Sequence, residues 1–192
     1  MSVYKSKAEI ATIDCSLVTI EIDNNGTTEE FGFETASQID VATQTEEQDA
    51  VKLVIKGKLK AQKKKSVVVT GNQITLHDNV FNPELVIALQ GGTATYDSQG
   101  NLTGYTPPVV GAQIEKTVFV TNAYSAQYNA AGQIVNYEKI SYPNCTGNPI
   151  SFNSQDNTFR APEYVIDSAP NNGEAPYVIT YVDSLPTLVA RS

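Results

Sequence analysis

The chain contains no tryptophan, one histidine, one methionine and two cysteines among its 192 residues. A lone histidine, His77, excludes a multi-histidine metal centre, and no GxSxG run marks a nucleophile elbow. Cys15 and Cys145 belong to no CxxC pair, which removes the usual zinc and redox motifs. No run of about 18 apolar residues occurs, so no membrane-spanning helix is expected. The opening stretch MSVYKSKAEIATIDC lacks the apolar core of a secretory signal. On that ground the two cysteines are expected as reduced thiols rather than a disulfide.

Apolar residues make up 41% of the chain, with ten tyrosines and six phenylalanines supplying aromatic bulk. That is enough to bury a core without metals or cross-links. No linker-like run or internal repeat appears, so residues 1–192 are read as a single domain. Net charge is −8, opposite in sign to most nucleic-acid binders. The charge is unevenly spread. Residues 1–49 hold eleven acids and two lysines, whereas 50–65 hold seven of the thirteen basic residues and no acid.

Alternation of apolar and polar residues dominates, which predicts strands. They are expected at 13–22, 51–60, 66–70, 113–121, 134–142 and 177–182. In 51–60, Val51, Leu53, Ile55, Gly57 and Leu59 would share one face, with Lys52, Val54, Lys56, Lys58 and Lys60 on the other. Residues 50–61 and 66–76 are expected to pair, with Lys63, Lys64 and Lys65 at the hairpin tip or bend. Pro, Gly and Asn predict turns at 24–26, 98–100, 106–111, 143–149 and 170–173. One helix is expected over about 83–90. Asn82 can cap it, Pro83 suits its first position, and Glu84 complements its positive end. Phe81 and Val86 can form a hydrophobic staple, and Gly91 and Gly92 permit a left-handed stop. Leu85, Val86, Ile87, Ala88 and Leu89 make this helix apolar nearly all round, so Leu85 and Leu89 are expected to be buried.

No set of groups reads as an active site. His77 is followed by Asp78, but adjacent strand residues point to opposite faces. Glu29, Glu30, Glu46, Glu47 and Asp49 lack the spacing of a calcium loop and are expected as solvated acids in loops. Gly91 and Gly92 follow a helix instead of opening one, so they form no phosphate loop. The lysines of 52–65 lack the interleaved aromatics of a nucleic-acid platform. The expectation is a non-enzyme with no catalytic, cofactor-binding or metal-binding residues.

Several segments, in order and combination, carry a resemblance to a known family: KGKLKAQKKK (56–65), VTGNQITLHDNVFNPELVIALQGG (69–92), GYTPPVVG (104–111), ISYPNCTGNPISF (140–152), FRAPEYVI (159–166) and NGEAPYVITYVDSLP (172–186). In these the chain resembles the phage major tail, or tail tube, proteins; residues 1–50 contribute little. The resemblance implies a mainly β, sandwich- or barrel-like domain with one flanking helix. It further implies self-association into stacked, hexameric rings forming the conduit for DNA ejection. The implied partners are other tail proteins (tape measure, terminator, distal tail) and phage DNA passing through the lumen without sequence-specific binding. The implied location is the virion tail, after assembly in the host cytoplasm, with no membrane insertion. The alternatives are another virion part (terminator, baseplate, or the tube of a contractile or tailocin-like particle) and a carbohydrate-binding β-sandwich. An acidic lumen would let DNA slide, so the lysines of 52–65 are expected at subunit contacts or outer surfaces, pairing with Glu46, Glu47 or Asp49 of a neighbour.

Overall fold

The computed structural model describes residues 11–24, 26–113, 116–150, 156 and 162–188. Among these the protein is mainly β with one short helix, as the alternation predicts. The elements are β1 (Thr12–Asn24), β2 (Thr27–Phe33), β3 (Ala36–Gln48), β4 (Val51–Ile55), β5 (Lys58–Lys63), β6 (Ser66–Asp78), α1 (Pro83–Gln90), β7 (Thr93–Tyr96), β8 (Leu102–Thr106), β9 (Phe119–Tyr128), β10 (Ile134–Gly147), β11 (Glu163–Ser168) and β12 (Val178–Val182). Eight strands form one antiparallel sheet in the order β2-β1-β9-β10-β11-β6-β3, with β12 also paired to β10. β4–β5 and β7–β8 are separate two-stranded hairpins.

The long β10 organises the sheet. One of its edges follows β9, while the other pairs first with β12 (Tyr137 to Ser141) and then with β11 (Cys145 to Gly147). Between these stretches lies an irregularity at Tyr142 to Cys145, with Asn144 at φ 47°. Such a bulge bends a strand and increases its twist. The sheet curls enough for its far strand β3 to lie near β1. The segment 143–149, expected as a turn, is therefore mostly strand. Its Pro, Asn and Gly residues mark the bulge instead of a chain reversal.

Val18, Ile20 and Ile22 of β1 alternate into the core, where Phe33, Ile74, Leu76, Phe119, Tyr142, Tyr164 and Ile166 join them. The helix completes this core. Asn82 caps it, its Oδ1 accepting the Leu85 N–H at 3.4 Å, and the Gly91 N–H closes it on the Ile87 carbonyl at 2.8 Å. Leu85 and Leu89 are buried as expected. A side chain at Gly147 of β10 would collide with the backbone of Leu89, so this glycine lets helix and strand approach closely. The tightly seated α1 then presents Gln90, whose amide donates to Tyr105 Oη at 2.9 Å and accepts the Ile150 N–H at 2.9 Å. These bonds anchor the β7–β8 hairpin to the body.

Two strand expectations fail for identifiable reasons. Residues 50–61 are not one strand. Lys56 (φ 50°) and Gly57 (φ 72°) both adopt left-handed backbone, which makes a two-residue hairpin turn. Val54 then opposes Leu59 and Ile55 opposes Lys58, so the expected five-residue apolar face does not exist. β6 pairs with β3 and β11, not with 50–61. Lys63 ends β5, and Lys64 and Lys65 form the bend into β6, the second of the two expected arrangements. The segment 113–121 becomes strand only from Phe119, and residues 114–115 lie outside the described residues, as do 151–152 and 159–161 of the family-like segments. The expectation also missed β2 and β3: Glu29 and Glu30 stand on the one, Glu46 and Glu47 on the other, and not in loops.

Candidate interaction surface

The groups weighed for chemistry stay apart. His77, near the end of β6, faces Asp40 of β3, with Nε2 3.5 Å from Oδ2 on a half-exposed surface. Asp78 points elsewhere and is fully buried, its Oδ1 accepting the Val80 N–H at 3.2 Å. Burial raises both cysteine thiols above their ordinary range, which disfavours the nucleophilic thiolate. Cys145 Sγ donates to the Tyr142 carbonyl at 3.2 Å. Among the described residues no three His, Cys, Asp or Glu side chains converge on a cation site, and no helix is long and apolar enough to cross a membrane.

What the fold does expose is an arm. β3 and β6 run together out of the body, then bend at 49–50 and 64–65 into the β4–β5 hairpin. The exit point is a register shift opposite Gln44 and Thr45, beside Gly71. Any side chain at Gly71 would strike the Ser168 carbonyl, so the glycine lets β6 pass tightly against β11 before leaving the sheet. Before this point β6 is exposed at Val67, Val68 and Val69; beyond it, Ile74 and Leu76 are fully buried. All of β4 and β5 is exposed, including Val51, Leu53, Val54, Ile55 and Leu59. Eight large aliphatic side chains thus lie on one ribbon without a core beneath them. Contiguous apolar exposure of this kind marks an interaction surface or an aggregation hazard.

The arm is also basic. Among the described residues only Lys65 of its seven lysines has an ion-pair partner, Glu47 on the adjoining strand β3. That pairing lies within the chain. Both groups are about half exposed, so the pair contributes about 0–1 kcal/mol. Lys63 Nζ donates to Gln48 Oε1 at 3.1 Å.

At the opposite edge of the sheet lies a groove of about 760 Å³, bordered by β1, β2, β9, β10 and the segment Pro186–Leu188. Its lining residues Thr19 and Glu21 are tied to a polar network within the sheet. Asn122 Nδ2 donates to Glu21 Oε1 at 2.6 Å and to Thr19 Oγ1 at 3.1 Å, and Ser141 Oγ donates to Asn122 Oδ1 at 2.7 Å. Lys139 Nζ lies 3.7 Å from Glu21 and 5.7 Å from the Tyr124 ring centroid. Leu188 folds onto Gly32, where a Cβ would displace it. Glu29, Glu30 and Glu84 add negative charge to the lining. Sequence reading missed this groove because its members come from strands about 100 residues apart. The alternation of Thr19 and Glu21 with Ile20 and Ile22 was the local signal of a polar outer face on β1.

No family model matches the chain, and no curated protein does. Among solved structures, a chain of the anti-feeding prophage cap (the tube terminating cap), determined by cryo-electron microscopy, is similar at 13% identity with a TM-score of 0.40. The alignment covers 95% of this chain and 97% of that one. A superposition this loose carries no weight for fold or role.

Proposed function

We propose that this protein is a structural subunit of a phage tail, built to associate with copies of itself. The carrying observation is the arm, an exposed ribbon with eight aliphatic side chains and seven lysines projecting from a well-packed body. A monomer gains nothing from holding such a surface in water, at a cost of roughly 25 cal/mol for each Å² of apolar area left uncovered. A subunit that covers it against a neighbour recovers that energy. The sheet edges point the same way: among the described residues β2 ends the sheet on one side, and β12 carries exposed Val178, Ile179 and Tyr181. Unpaired edges favour strand addition unless they are covered or closed into a ring.

The finer reading is a tail tube subunit forming stacked, hexameric rings around a channel for DNA. It is supported by the family-like segments, by the mainly β architecture, and by a net charge of −8 that would keep a bore from holding DNA. On this reading the arm lysines serve subunit contacts and acids dominate the channel wall. Other tail proteins would meet the two ends of the tube, and the protein would be found in the virion after assembly in the host.

Negative-stain microscopy of the purified protein at high concentration tests this reading. Rings or tubes of uniform bore are expected. Single rings that never stack would favour a terminator. A protein that stays monomeric or forms only irregular aggregates would overturn the proposal.

A further inference from the structure

Two exposed surfaces of this molecule are opposite in charge. The β4–β5 hairpin and its bend carry seven lysines and no acid. The groove lined by β1 and β2 contains Glu21, Glu29, Glu30 and Glu84, with Lys139 the one basic side chain among its described lining residues. Glu21 and Glu30 stand directly opposite one another on β1 and β2, and like charges so placed destabilise a strand pair. Lys139 reaches Glu21 alone among the groove acids. Glu29 and Glu30 are exposed on β2, which ends the described strand order of the sheet.

Apolar character matches as well. Phe31, Tyr124, Pro186 and Leu188 form part of the groove wall. At the hairpin tip, Val54 and Leu59 pair across the strands, while Lys58 and Lys60 on either side of Leu59 point to the opposite face of the ribbon. Lysine stems pack on apolar surface while their ammonium groups reach carboxylates. Every residue of the hairpin is exposed, so the arm does not fill the groove of its own chain.

We infer that the groove bordered by β1, β2 and Pro186–Leu188 is the docking site for the β4–β5 hairpin of a second copy of this chain. The inference rests on the self-association reading above and names its surfaces. The contact is heterologous: hairpin and groove are different surfaces, so each subunit can bind one neighbour through its hairpin and another through its groove.

Reciprocal charge reversal tests the assignment in the full-length protein. One variant carries Lys58→Glu and Lys60→Glu, the other Glu29→Lys and Glu30→Lys. All four positions are exposed, and circular dichroism checks that the fold is kept. Sedimentation velocity at about 0.1 M salt then measures association. Each variant alone is expected to need roughly tenfold more protein to associate than the parent. A one-to-one mixture is expected to restore association, because the carboxylates introduced on one variant's hairpin then meet the ammonium groups introduced in the other's groove. If the parent assembles and either variant assembles equally well, or the mixture restores nothing, the docking assignment is wrong while the structural-subunit reading stands. If the mixture is restored yet no rings or tubes form, the docking assignment stands and the tail reading fails. A parent that stays monomeric at every concentration overturns both.

Discussion

The body of this protein and its arm are built from the same kind of strand, with opposite consequences. In the body, Ile74 and Leu76 of β6 are fully buried, and Gly147 lets helix α1 press onto β10. In the arm, Val67, Val68 and Val69 of the same strand stand half exposed. β-branched residues favour an extended backbone in both places. What differs is whether a second layer lies across the face. Strand formation thus does not imply core formation, and a strand that crosses the boundary serves two purposes: it ties the body together at one end and carries an adhesive surface at the other.

That contrast predicts a gradient of mutational effects. Leu89→Ala sits at its steep end: a cavity at a fully buried position should cost about 2–5 kcal/mol in chemical denaturation. A loss under about 1 kcal/mol would mean that the helix is not part of the body's core. Gly147→Val should follow. Its side chain has nowhere to go except into the backbone of Leu89, and overpacking of this kind costs about 1–3 kcal/mol.

Alkaline pH should loosen the body before it touches the arm's backbone. Burial, aided by Tyr177, Cys145 and Glu138, pushes the Tyr142 phenol from 10.0 up to about 12. Burial likewise raises the Cys145 thiol above 9.0. Both groups favour the folded state while neutral. Their contribution is therefore complete below the unfolded values and is lost as pH climbs, from near 9 for Cys145 and from 10 towards about 12 for Tyr142. Thermal melts across pH 8 to 12 should show a falling midpoint, and Tyr142→Phe should flatten the upper part of that fall. An unchanged slope in the variant would remove Tyr142 from the account.

At the shallow end, Leu53→Ser with Leu59→Ser should change monomer stability by about 0.5 kcal/mol or less, because both side chains already face water. The same pair should weaken self-association measured by light scattering. A large loss of monomer stability would show that the arm belongs to the core after all. Lys65→Ala should likewise cost little, within about 1 kcal/mol, since its pair with Glu47 is open to solvent. His77→Ala should leave assembly unchanged for the same reason, its contact with Asp40 lying on an exposed surface.

Much of the architecture was legible locally. The helix was written in Asn82, Pro83, Glu84 and Gly91, because capping depends on groups within one turn of each other. β1, β10 as far as Tyr142 and β12 were written in their alternation. β2 and β3 were not, because Thr, Glu and Gln on exposed strands resemble loop composition. The turn at Lys56–Gly57 was hidden for a related reason: apolar and polar residues continue to alternate across it, and only the left-handed backbone of two adjacent residues breaks the strand.

The sequence by itself determined a mainly β chain with one buried helix, an acidic balance, and a concentration of lysines in one short stretch. These follow from side-chain periodicity, capping chemistry and counting, which need no knowledge of distant neighbours. Tertiary structure alone decided that β6 is half core and half arm, that Glu21 meets Asn122 and Lys139, and that Glu21 faces Glu30 across two strands. Strand partners are chosen by long-range packing and register, and a run of alternating residues carries no information about which strand will lie beside it.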